Sequence, residues 1–236
     1  MSVKSRSFFK DKYNLSPVVI AKKFRYSQTN IDILNYENND DEKFQLEHPI
    51  EYNMIKKANH MRDNRTIVEF AKDMVNNWLI EDFIKLKLSD KDITISLNGT
   101  DSERKFNEAK NVRTTADYVI DYKGYTFTVE LVCDYANYWC KNHQLALRDN
   151  KAKKLHERED LLLAIDLLND GFYLIDFKYI YNFNDALPIP AYGFKPGIVY
   201  DLRNFNGYIL NKSNFKYALD QIIKNDKIRQ KNKNYF

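Results

Sequence analysis

Cysteine is scarce in this chain of 236 residues: Cys133 and Cys140 are the only two, too few for a secreted disulfide scaffold. Long apolar runs are missing as well. No stretch of 18 apolar residues occurs, so a membrane-spanning helix is not expected. The start, MSVKSRSFFKDKYN, has basic residues but no apolar segment of leader length behind them, and we expect a soluble, cytoplasmic protein without a membrane partner. Glycine is sparse, at 6 residues, and no Gly-rich phosphate loop, Rossmann fingerprint or GxSxG elbow is present. Kinase, dehydrogenase and serine-hydrolase readings therefore have no support. There is no internal repeat and no linker rich in Pro, Gly or Ser, so any domain boundary is soft. A strong excess of one charge is absent too. The net +4 is compatible with a nucleic-acid partner without requiring one, which leaves local clustering to decide.

What is present is a globular composition, 44% hydrophobic and 30% charged, with 15 Phe and 17 Tyr to fill a core. We read residues 1–60 as an irregular extension packed on the core, 61–180 as the core itself, and 181–236 as a C-terminal loop and helix of the same domain. Asn35 to Glu42 is expected as an exposed polar loop. From Thr66 to Leu88 the apolar residues Ile67, Phe70, Ala71, Met74 and Trp78 recur at helical spacing. A short strand follows at Asp92 to Leu97. Lys141 to Glu157 reads as a polar helix, Asp160 to Asp166 as a strand buried on both faces, and Phe172 to Phe177 as another strand. PIPAYGFKPG reads as a surface loop, and Asn214 to Arg229 as an amphipathic helix with a basic tail. This order predicts an α/β (α+β) fold with a central mixed sheet flanked by helices.

The segment Ala116 to Val132, ADYVIDYKGYTFTVELV, carries the most information. A two-residue turn at Lys123-Gly124 places Tyr122 opposite Tyr125, Ile120 opposite Phe127, Tyr118 opposite Val129, and Asp117 opposite Glu130. One face of the ribbon is then apolar throughout, and a slip of one residue would scatter it. Directly opposed side chains have Cβ atoms about 4.5 to 5.5 Å apart, so Asp117 and Glu130 are placed to share one hard divalent cation. The competing reading is two acids that solvate an outer sheet face.

With Asp on one hairpin strand and Glu-Leu on the next, the stretch from Thr66 to Phe177 resembles the PD-(D/E)XK nuclease superfamily, the restriction-endonuclease-like fold. The resemblance implies one or two Mg²⁺ ions, with Mn²⁺ as a substitute, held by Asp117 and Glu130, with Glu69 on the preceding helix as a third ligand. It implies a hydrolase acting on phosphodiester bonds of DNA, an endonuclease of restriction or phage type. A restriction enzyme of this kind is expected as a homodimer, because two-fold symmetry matches a palindromic site. Two positions depart from the motif. Ala116 stands where the family name has Pro, and Val132 stands where the family places the lysine that orients the attacking water.

A replacement lysine is sought on the expected helix that follows, where Lys141, Gln144, Arg148 and Lys151 recur at spacings that would share one face. Lys141 is the first choice, with Lys151 as the other. Gln144, Arg148, Lys151, Lys153 and Lys154 are the expected nucleic-acid contacts. Glu69 has a second reading, since Thr66-x-x-Glu69 is a capping-box spacing. Cys133, Cys140 and His143 lack the second close pair that a zinc tetrahedron needs. His60 offers a hint of an RNA endonuclease. The loss of the motif lysine to Val132 raises the alternative of an inactive nucleic-acid-binding or assembly module that keeps the nuclease fold.

Overall fold

A computed structural model describes residues 4–58, 65–99, 102–106, 115–180, 186–190 and 193–233. His60 lies outside the described residues. The chain forms two compact units: residues 1–86 with 98–115, and residues 87–97 with 116–236.

The first unit is helical. Residues 1–60 were expected to be irregular, yet they form α1 (Lys4–Tyr13), α2 (Pro17–Lys23), α3 (Gln28–Asn35), α4 (Asp41–Glu47) and α5 (Pro49–Ala58). Each is too short for a 3.6-residue period to stand out, and for α2 and α3 the signal is a cap instead. Ser16 Oγ accepts from Val18 N at 3.3 Å, with Pro17 in the first turn, and Ser27 Oγ accepts from Asn30 N at 3.2 Å. The expected polar loop from Asn35 to Glu42 is confined to the few residues between α3 and α4, where Tyr36 is buried. These helices pack on α6 (Ile67–Leu88), whose residues Val68, Ala71, Val75 and Trp78 join Ile33, Phe44 and Ile55 in one core. Arg104 fastens its loop to α6 through Glu81 at 2.6 Å and Asp82 at 3.0 Å.

The second unit holds a six-stranded mixed sheet with order β1-β2-β3-β5-β6-β9: β1 (Ile93–Leu97), β2 (Tyr118–Tyr122), β3 (Tyr125–Asp134), β5 (Leu161–Asp166), β6 (Gly171–Asp176) and β9 (Gly207–Ile209). The hairpin forms in the expected register, with Tyr118 opposite Val129, Ile120 opposite Phe127 and Tyr122 opposite Tyr125. The strand β5 runs parallel to β3 and is buried at every position, as its continuous apolar run requires. Phe172 and Phe177 are fully buried, so that aromatic stretch serves the core. The last helix, α9 (Lys212–Lys233), buries Phe215 against Phe172.

Two segments differ from expectation. Lys141 to Glu157 is not one helix but α7 (Tyr138–Asn142), β4 (Gln144–Arg148) and α8 (Asp149–Glu157). His143 ends α7 with a left-handed backbone, φ +51°, and the chain leaves as a strand. The period-2 pattern of Leu145 and Leu147 was hidden among polar neighbours, and their burial decides the outcome. PIPAYGFKPG is likewise not all loop, because its ends belong to β7 (Leu187–Ile189) and β8 (Lys195–Asp201). These join β4 in a second sheet, β4-β8-β7. Its inward residues Leu145, Leu147, Ile198 and Tyr200 pack with Leu155 of α8 and Leu162 and Ala164 of β5. The same packing sets α8 beside Glu130. Among the described residues, no helix is long and apolar enough to cross a membrane.

Candidate active site

The antiparallel pairing of β2 and β3 ends at Tyr118 and Val129. One residue further on, Asp117 lies just before β2, across from Glu130 on β3. Asp117 Oδ2 accepts a hydrogen bond from Leu131 N at 2.7 Å, which closes the ladder where β2 stops and pins the carboxylate beside the backbone next to Glu130. Asp117, at the entry to β2, is therefore bonded to the β3 residue that follows Glu130.

Glu130 is mostly buried and meets two cations from the α8 segment. Lys151 Nζ lies 2.6 Å from Glu130 Oε1, and Arg158 Nη2 lies 3.9 Å from Oε2. Lys151 and Arg158 are seven residues apart, with Leu155 between them on the same side of α8. Leu155 is fully buried, and it presses this side of the helix onto the sheet. Arg158 in turn holds Asp160, with its Nε and Nη2 each 2.6 Å from Asp160 Oδ2. Thr128, two residues before Glu130 on β3, donates its hydroxyl to Asp160 Oδ1. Asp160 is 2% exposed, a location that a carboxylate tolerates only when paired.

Of the lysines considered from the sequence, the one that meets Glu130 is Lys151. Lys141 is exposed at the end of α7, and Val132 packs into the core between β3 and the second sheet. The shared helical face expected for Lys141, Gln144, Arg148 and Lys151 does not exist, since these residues are spread over α7, β4 and α8. Gln144 and Arg148 are exposed on one face of β4, Lys153 pairs with Asp149 at 3.6 Å, and Lys154 is exposed on α8. Glu69 belongs to the helical unit and forms the capping box: its Oε2 accepts from Thr66 N and Thr66 Oγ1 accepts from Glu69 N, each at 3.1 Å. Its Oε1 accepts from Asn38 Nδ2, so both oxygens serve the start of α6.

Arg158, Asp160 and Thr128 were not singled out from the sequence. The signals were faint: Thr128 shares the polar face of the hairpin with Glu130, and Arg158-x-Asp160 directly precedes an apolar run.

Among the described residues, no three His, Cys, Asp or Glu side chains gather as a metal-ligand group. Mg²⁺ is commonly held by one or two carboxylates with waters and substrate phosphates completing its shell, so Asp117 and Glu130 are the residues that would hold one here. Glu130 Oε1 is engaged by the Lys151 ammonium from the α8 side. No protein-family model matches the chain, and no curated protein or solved structure is significantly similar to it.

Proposed function

We propose that the protein is a metal-dependent endonuclease that hydrolyses phosphodiester bonds of DNA. The observation that carries this reading is the 2.6 Å contact between Lys151 and Glu130, which returns a lysine to the acidic pair despite Val132 in the motif position. Asp117 and Glu130 would hold a divalent cation, which when bound lowers the pKa of a coordinated water and offsets charge developing on the phosphoryl oxygens. Lys151 would hold the attacking water or a phosphoryl oxygen by hydrogen bonding from its ammonium group. Rigid placement matters here, because most of the catalysis in such displacements comes from positioning and charge stabilisation. Lys151 stands on a helix fixed by Ala152 and Leu155, both fully buried, so its stem starts from a defined backbone.

The test is cleavage of end-labelled DNA and RNA oligonucleotides in Mg²⁺ by the full chain and by Lys151→Met and Lys151→Arg. The reading predicts DNA cleavage by the wild type, a loss of about 10²-fold or more in Lys151→Met, and partial activity in Lys151→Arg. Equal cleavage by Lys151→Met would remove Lys151 from the chemistry. Cleavage of RNA alone would move the assignment to an RNA endonuclease.

A second reading has its own support. Val132 is committed to the core and Glu130 is already neutralised by Lys151 and Arg158, an arrangement that also suits a nucleic-acid-binding module without hydrolytic activity. Such a module would bind the oligonucleotides and leave them intact in every metal.

A further inference from the structure

The ion network beside Glu130 contains one group that the hydrolytic reading does not use. Asp160 is almost wholly buried, yet it is a carboxylate, and a buried ion pair such as Asp160 with Arg158 commonly adds no more stability than well-packed apolar residues in place of both partners. What Asp160 does provide is geometry. Its Oδ1 is fixed by Thr128 on β3, and its Oδ2 takes two donors from Arg158. The guanidinium is thereby held at a defined place while its side chain remains 32% exposed, close to Glu130 and on the same side of α8 as Lys151. An arginine has five N–H donors in a rigid fork that matches phosphate oxygens, whereas lysine offers a point charge on a flexible stem. The two cations flanking Glu130 are thus chemically different and differently restrained.

We propose that Arg158 is the residue that contacts a backbone phosphate of the nucleic acid at this site, and that Asp160, fixed by Thr128, is the positioning residue that sets its guanidinium beside Glu130 and Lys151. The assignment rests on the nucleic-acid reading above for its ligand and on the Thr128–Asp160–Arg158 network for its geometry. It commits to a phosphodiester backbone rather than to bases, since a charged fork that contacts a phosphate positions the strand and carries no sequence information.

The experiment is fluorescence anisotropy with a short labelled DNA duplex in EDTA, over a range of salt concentrations, so that neither metal nor cleavage enters. Removing Arg158 alone would leave Asp160 buried and unpaired, a change that threatens folding. The principal variant is therefore the charge-neutral double substitution Arg158→Gln with Asp160→Asn, accompanied by Arg158→Lys. Loss of a phosphate contact predicts that the double variant binds about tenfold more weakly and that its slope of log affinity against log salt is shallower by about one. Arg158→Lys keeps the salt slope and loses part of the affinity, a pattern that a merely structural role would not produce. A double variant that binds as the wild type does at every salt concentration overturns the assignment, and so does a wild-type chain that does not bind the duplex at low salt. A wild type that binds but never cleaves in Mg²⁺ removes the hydrolytic reading alone, and the same binding losses then decide the role of Arg158.

Discussion

At the scale of single residues, charge placement near Glu130 contrasts with a hydroxyl that has found no use. Tyr200 on β8 is buried, and its phenol has no hydrogen-bond partner among the described residues. Burial pushes its pKa up from 10.0 to about 12. A raised pKa means that the contribution of the neutral phenol to stability is complete below the unfolded value and is lost as pH climbs through the folded one. The stability of the wild type, measured by chemical denaturation, should therefore fall between pH 10 and pH 12, the values that bracket this group. Tyr200→Phe should remove that component. Because no internal hydrogen bond is given up, Tyr200→Phe should leave stability at neutral pH unchanged or raise it by about 1 kcal/mol. A loss of more than about 1 kcal/mol would show that the hydroxyl is satisfied after all. Legibility at this scale was uneven. Asp117 and Glu130 could be placed next to each other from the sequence because strand alternation fixes the hairpin register, whereas the contact of Arg158 with Asp160 arises where a helix crosses a sheet, which no local pattern records.

At the scale of elements, the hairpin shows how a short pattern can be decisive. Both turn residues adopt left-handed backbone, Lys123 at φ +51° and Gly124 at φ +79°, as a type I′ turn demands. The turn suits the right-handed twist of β2 and β3, and the apolar face from Ala116 to Val129 then enforces the pairing. Gly124→Ala meets no atom within 4 Å, so its cost is conformational alone, about 1 kcal/mol of stability by denaturant titration. A neutral result would mean that the turn relaxes to another type without disturbing the register. The long α6 and the all-buried β5 were equally legible, since each sustains one unbroken pattern. The opposite case is β4: five residues with two buried leucines, set between two short helices, do not outweigh the polar residues around them. The same limit hid the five short helices of the first unit, of which α2 and α3 are capped by serines and α3, α4 and α5 share a core with α6.

At the scale of the whole molecule, every residue assigned to the site belongs to the second unit, whose chain is interrupted between Leu97 and Ala116. Antiparallel pairing of β2 with β3 sets Asp117 beside the backbone of Leu131, next to Glu130. The parallel step from β3 to β5 requires a crossover, and that crossover delivers α8 with Lys151 and Arg158 to Glu130. The sheet and the placing of Asp117 next to Glu130 could be read from the sequence because both follow from alternation. Which lysine lies beside Glu130 could be narrowed only to candidates, since Lys141 and Lys151 are separated by where the crossover folds back. The central claim is that this meeting of two acids and one lysine is a hydrolytic site, and the most direct measurement is a time course of supercoiled plasmid nicking in Mg²⁺ by the full chain, with Asp117→Asn and Glu130→Gln as matched controls. The account predicts nicking by the wild type that EDTA stops and that either substitution lowers by about 10²-fold or more; an intact plasmid with the wild type, or equal nicking by all three proteins, would contradict it.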